Sequence, residues 1–388
     1  MMKPIYFDNS ATTALSPAAK QAMTEAMDCY GNPSSLHSAG RAAATILNTA
    51  RTSIATSLGV RRLSPGELVF TSCGSEANSL ALLGTAYAKA RRTANRIVTT
   101  DSEHPAVENA MQQLERDGFE VIRIATRGGV LDMEQLDRAL NDRVFMVSMM
   151  MVNNETGAVY DLKRVFSLAR TRSPGVITHT DAVQGYLKCR FTPATLGADL
   201  ITISAHKVHG PKGVGALYIN PALLKAKQIV PRLLGGGQEH GLRSGTENLP
   251  GIAAFGASVA ELYPRLDEDI AHKSALRDRL VAGLQAIGVG GKLPTGVSAP
   301  HIVNLTLPNI KSEVMLHFLD ARGICVSAGS ACSTHARGIS RALLAFGSTE
   351  READCSLRVS LCATNTPEEI DALLVALGEG LASLIRIK

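Results

Sequence analysis

The chain has 388 residues, 45% of them hydrophobic and 19% charged, and a formal net charge of +5. This balance fits a globular protein with a sizeable core, roughly two or three domains' worth of chain, and excludes disordered and fibrous classes. No apolar run approaches the ~18 residues of a membrane-spanning helix, and the basic residues form only short clusters such as Arg61-Arg62 and Arg91-Arg92, without interleaved aromatics, which argues against a nucleic-acid surface.

The cysteines are Cys29, Cys73, Cys189, Cys325, Cys332, Cys355 and Cys362, an odd number with no C-x-x-C pair. In a chain of this length they read as reduced thiols rather than a disulfide framework. The N-terminal MMKPIYFDNSATT lacks a signal-peptide core. Both features predict a cytoplasmic protein.

Seven apolar, β-branched runs read as strands: 67–72, 96–101, 120–125, 143–152, 176–182, 198–204 and 215–220. Between them, 81–92, 105–118, 132–142 and 162–172 carry helical patterns. The alternation predicts an α/β fold with a mostly parallel central sheet. Beyond about residue 260 the pattern changes to α+β: helices over 267–288, 313–323 and 367–385, and strands over 301–308, 324–329 and 356–361. This predicts a second, smaller domain.

Polar residues gather at the strand ends, where an open α/β sheet places its site. TSCGSEAN follows the first strand and opens a helix. The backbone N–H groups of Gly74 and Ser75 there suit a phosphate, although an ordinary helix cap would read the same way. His104, in SEHPAV, is either a helix cap or an imidazole placed for proton transfer and stacking. VNNETG ends the most apolar strand and carries Asn154. HTDAVQG carries Asp181 and Gln184, and a carboxylate at the end of a buried strand needs a partner such as a protonated ring nitrogen.

In SAHKVHGPKGVG, Lys207 follows Ser204 and His206 at a strand end before a glycine-rich turn. A desolvated lysine there suits covalent attachment to a carbonyl cofactor such as pyridoxal phosphate. GGGQEHGLRSGTEN reads as an irregular loop with Thr246 near its tip. VSAGSACST places Cys332 among small residues, suited to a nucleophilic thiolate. Arg358 interrupts an apolar strand, which is expensive unless it meets an anion such as a substrate carboxylate.

Together these motifs, from YFDNSATT (6–13) and YGNPSSLHSAGRAA (30–43) to VSAGSACS and LRVSL, resemble the pyridoxal-phosphate-dependent cysteine desulfurases of the NifS/IscS type, within the class V aminotransferase group. The resemblance runs nearly end to end. After SLRVSL the family usually continues Gly-Arg, where this chain has Cys362-Ala363.

The resemblance implies the fold type I of pyridoxal-phosphate transferases. A large domain would cover residues 15–260. A small one would cover 1–14 and 261–388 and carry a mobile Cys332 loop at about 326–345. It implies conversion of L-cysteine to L-alanine, with sulfur held as a persulfide on Cys332 and then passed to an acceptor protein. Iron–sulfur cluster assembly, tRNA thiolation and other sulfur modifications all use such a donor.

By resemblance, Lys207 would carry pyridoxal 5'-phosphate and His104 would stack on its ring and act as an acid/base. Asp181 would pair with the ring nitrogen, Gln184 with the ring oxygen, and Asn154 would lie near that oxygen and the substrate carboxylate. Gly74, Ser75, Ser204 and His206 would hold the phosphate. The molecule would be a homodimer, with Thr246 reaching in from the partner subunit. Arg358 would bind the substrate carboxylate. Selenocysteine lyase or another class V reaction is the alternative on the same fold, and a non-catalytic assembly subunit the alternative of another kind, although the latter would not need both Lys207 and Cys332.

Overall fold

The seven apolar runs between residues 67 and 220 all become strands of one sheet in the computed structural model, which describes residues 4–89, 94–328 and 339–386. They are β1 (Leu68–Thr71), β2 (Arg96–Thr100), β3 (Glu120–Ile124), β4 (Val144–Ser148), β5 (Ile177–Asp181), β6 (Leu200–Ser204) and β7 (Gly215–Ile219). Their order across the sheet is β1-β7-β6-β5-β4-β2-β3. Only β7 runs against its neighbours; the pairs from β6 to β3 are parallel. Strands β4 to β7 are buried along their whole length. That is why β4, β6 and β7 read as mostly apolar runs rather than alternating ones, while β5 buries Thr178, His179 and Thr180.

The helices that matter here are α1 (Ser38–Ser57), α2 (Gly74–Ala86), α3 (Pro105–Arg116), α4 (Leu249–Leu262), α5 (Leu266–Ala286), α6 (Ser312–Asp320), α7 (Arg341–Phe346) and α8 (Pro367–Ser383). Helix α2 starts seven residues before the 81–92 pattern and ends at Ala86. Its later turns are apolar and buried against the sheet and α3, and polar residues such as Ser75, Glu76 and Ser79 gather in its first turns. Helices α1 and α4 pack on each other, and α4 is too uniformly apolar to show a stripe.

A second sheet pairs β8 (Ile302–Thr306) with β9 (Ser356–Ser360), antiparallel, with Asn304 opposite Arg358. Leu280 of α5, Leu319 of α6 and Leu373 of α8 close a separate core over it. Phe7 joins that core, because Ile5–Tyr6 pairs with Ile324–Cys325. The run 324–329 thus yields only a two-residue strand. Among the described residues no helix is long and apolar enough to cross a membrane.

Helices α1 and α4 approach so closely that a Cβ on Gly256 would lie 2.5 Å from Ala50 Cα. Backbone cannot yield as a side-chain tip does. Gly256→Ala is expected to lower unfolding stability by about 1–3 kcal/mol, read from the urea midpoint at unchanged slope.

Candidate active site

The carboxyl ends of β1, β2, β4, β5 and β6 share one edge of the large sheet, and the chain emerging from each lines a cavity of about 160 Å³ there. Gly74, Ser75, His104, Asn154, Asp181, Gln184, Ser204, His206, Lys207 and Arg358 all reach this cavity. Thr246 does not; it is exposed on the loop between β7 and α4. Cys332 lies outside the described residues.

Asp181 ends β5 and is 7% exposed. Its Oδ2 accepts from Asn78 Nδ2 at 2.7 Å and its Oδ1 from Val183 N at 3.0 Å. Two neutral donors hold the carboxylate in place while leaving its charge for a cationic group in the cavity. Asn78 reaches it from the second turn of α2. The motif TSCGSEAN contains that residue, but only the fold reveals the 103-residue contact.

His104 caps α3, its Nδ1 accepting from Ala106 N at 3.1 Å. The capping role and the cavity position coincide. An acceptor Nδ1 leaves the proton of a neutral ring on Nε2.

Behind it, Glu103 turns inward. The residue is only part-buried, yet its carboxyl is enclosed: Oε1 accepts from Thr100 Oγ1 at 2.7 Å and Met150 N at 2.9 Å, and Oε2 has no hydrogen-bond partner. Burial pushes its carboxyl up to about 8, with Asp181 and Glu108 adding to the rise. It is therefore mostly neutral at pH 7, which spares Asp181 a second negative neighbour.

Lys207 Nζ donates to the carbonyls of Ser10 at 2.6 Å and Ala11 at 2.7 Å. Gln184 Nε2 donates to the same Ser10 carbonyl at 2.9 Å. His206 Nδ1 lies 3.2 Å from Thr12 Oγ1, and burial, then Lys207, pushes its ring down to about 4, so it is neutral.

Across the cavity, the N-cap of α2, Cys73, makes no side-chain capping bond. The first-turn N–H groups of Gly74 and Ser75 point where a ligand can meet them. The buried Ser204 Oγ has no partner in the protein. A buried hydroxyl left unsatisfied beside an uncapped helix N-terminus is a cradle for an anion such as a phosphate. Gly215 makes the turn possible, since a Cβ there would sit 2.5 Å from Cys73 C.

Arg358, 1% exposed, enters from β9. Its Nη2 pairs with Asp8 Oδ1 at 2.8 Å and its Nη1 donates to Asn154 O at 2.9 Å, while its buried Nε has no partner. The anion that offsets this buried charge within the protein is thus Asp8, which sequence reasoning passed over. Its backbone also bonds Ser327 in both directions, at 2.7 and 3.1 Å. Ser327 lies two residues before the segment that carries Cys332. Among the described residues no cluster of His, Cys, Asp or Glu could hold a metal ion.

The chain as a whole resembles known proteins. The family model "Aminotransferase class-V" matches residues 5–373. A cysteine desulfurase of Trichormus azollae is 36% identical over 384 residues, 97% of this chain and 93% of that protein. A solved NifS-like protein superposes with a TM-score of 0.91 at 36% identity, covering 98% of this chain and 100% of the other. SspA, solved in complex with cysteine, gives 0.79 at 30% identity over 93% of this chain and 100% of its own.

The Glu103 carboxyl titrates higher folded than unfolded, so it contributes stability at low pH that is lost as pH rises through about 8. Glu103→Gln, which mimics the protonated acid, is expected to match the wild type near pH 5. Its advantage should grow by at most about 1.4 kcal/mol per pH unit and level off above pH 8, measured by urea denaturation across that range.

Proposed function

The chain belongs to the aminotransferase class-V family, and on that premise we propose that it is a cysteine desulfurase that uses pyridoxal 5'-phosphate and stores sulfur on Cys332. The observation that carries this reading is the convergence on one cavity of Lys207, Asp181, His104, Arg358 and the unpartnered Ser204 hydroxyl above the start of α2.

The residues fit the cofactor. Gly74, Ser75, Ser204 and His206 would take its phosphate, Asp181 its ring nitrogen, Gln184 its ring oxygen and Lys207 its aldehyde carbon. His104 would cover the ring face. When bound, the cofactor supplies an electron sink for charge developing at the substrate α-carbon.

The chain's own residues do the rest. Asp181, held by Asn78 and Val183 N, would keep the ring nitrogen protonated. Lys207, which lines the cavity, would serve as a base for the α-proton, with His104 as an acid/base beside it. Arg358 would exchange Asp8 for the substrate carboxylate and so fix the substrate's orientation, with Asn154 beside it. Glu103 and His206, neutral at pH 7, add no charge beside Asp181 and Lys207.

The Cys332 thiolate would then attack the substrate sulfur. The carbon–sulfur bond breaks with its electron pair going to carbon, a sulfur–sulfur bond forms, and protonation at carbon completes L-alanine. Net, L-cysteine and the Cys332 thiol yield L-alanine and a Cys332 persulfide.

The backbone bridge of Ser327 to Arg358 supports a link between substrate binding and the segment that bears the thiol. We read the acceptor as a protein that meets Cys332. Thr246, away from this cavity and exposed, is free to serve the site of a second copy in a homodimer. In this reading residues 15–260 form the large domain, and 1–14 with 261–388 the small one.

With L-cysteine and a reducing thiol, the wild type is expected to release alanine and sulfide in equal amounts. Cys332→Ser should keep the yellow cofactor colour and lose sulfide release. A variant with full release would remove Cys332 from the mechanism. Arg358→Ala should raise KM for cysteine by roughly tenfold or more, as the loss of a charge-assisted pair implies; an unchanged KM in steady-state assays would make Arg358 purely structural.

A further inference from the structure

Lys188 is 7% exposed, yet among the described residues no carboxylate pairs with it. Its Nζ donates to Gln184 Oε1 at 2.9 Å. The charges around it are of its own sign: Lys207, Lys273 and Arg358, with the Cys189 thiol as the one group of opposite tendency. Burial, then Lys207, holds its ammonium well below the usual lysine range. Placing an amine here carries a desolvation cost with no carboxylate among the described residues to offset it. A structural filler of the same length, such as methionine, would avoid that cost.

What the amine does instead is set an amide. Gln184 has one acceptor oxygen and two N–H bonds. With Oε1 taken by Lys188, Nε2 must face the other way. One of its hydrogens goes to the Ser10 carbonyl at 2.9 Å, the carbonyl that also receives Lys207 Nζ at 2.6 Å. The other is left for the cavity that Gln184 lines. A lysine ammonium has three donor hydrogens and no acceptor, so it can meet only the oxygen of the amide, and that sets the flip.

We propose that Lys188 is a positioning residue for the reaction: from behind the cavity it fixes the flip of Gln184, so that the amide presents an N–H donor, and not its oxygen, to the ring oxygen of the bound cofactor. This rests on the reading that Lys207 carries pyridoxal 5'-phosphate.

The orientation has a spectroscopic consequence. A donor at the ring oxygen competes for that oxygen with the proton on the Lys207 linkage, and so makes that proton easier to lose. Removing the donor, or letting the amide flip, raises the pH midpoint of the visible band.

The test titrates the visible absorption of the cofactor-loaded protein, with thermal stability measured alongside, in Lys188→Met, Gln184→Leu and the double variant. Lys188→Met and Gln184→Leu should each raise the midpoint by about half to one pH unit, the worth of one hydrogen bond. The double variant should shift no further than Gln184→Leu alone, because Lys188 acts through that amide.

Shifts that add would assign Lys188 a through-space charge effect and overturn the proposal, as would an unshifted midpoint in Lys188→Met. If Lys188→Met fails to fold, Lys188→Gln, an uncharged donor, replaces it. A midpoint closer to wild type than that of Gln184→Leu supports the positioning role, and one equal to it overturns that role. A wild type that gives no visible band with pyridoxal 5'-phosphate, or one kept in Lys207→Ala, would instead overturn the underlying reading of the site.

Discussion

The short segment from Asp8 to Thr13 is the constraint on which the site depends, because it is bonded to both sheets at once. On the β9 side, Asp8 pairs with Arg358, Asn9 Nδ2 donates to Ser360 O at 2.9 Å and Ser10 N to Ser360 Oγ at 2.8 Å. On the β6 side, the Ser10 and Ala11 carbonyls receive Lys207, and Thr13 N donates to His206 O at 2.9 Å. Few of these groups could be satisfied elsewhere, since most of the segment is enclosed. Its position therefore fixes the distance between the lysine end of the cavity and the arginine end.

That arrangement also settles how so many charges coexist. Asp181 is stabilised by neutral donors, Arg358 by Asp8, and Lys207 by backbone carbonyls. Burial pushes several other groups toward their neutral forms: Glu103 and Glu155 are raised, His179 and His206 lowered. Burial alone would make each charge here costly, so those that remain are ion-paired or hydrogen-bonded. The carboxyl of Glu155 accepts from Ser340 Oγ at 2.6 Å, and the next residue, Arg341, forms a salt bridge with Glu108. The chain that leaves Arg358 through Ser327 thus returns to the large sheet just after the residues that include Cys332.

Much of the site was legible in the motifs, because chemistry restricts residue type more sharply than packing does. A lysine after Ser-x-His at a buried strand end, or an aspartate closing an apolar run, has few structural uses. Asn78, Asp8 and Glu103 carried no such signal. Each is a common residue type beside a more conspicuous neighbour, and each acts through a partner distant in sequence or, for Glu103, through an inward turn at a helix start. Lys188 reads as one more surface lysine until the fold buries it.

Apolar runs and strand-end motifs by themselves determined the parallel α/β sheet, the edge that bears the site and most of its residues, because periodicity and residue chemistry are local properties. The packing of α1 on α4 and the joining of two sheets by the N-terminal segment were decided only in three dimensions. So was the pairing of each buried charge. Those features are contacts between residues far apart in the chain, and their energy comes from burial, which no local pattern records.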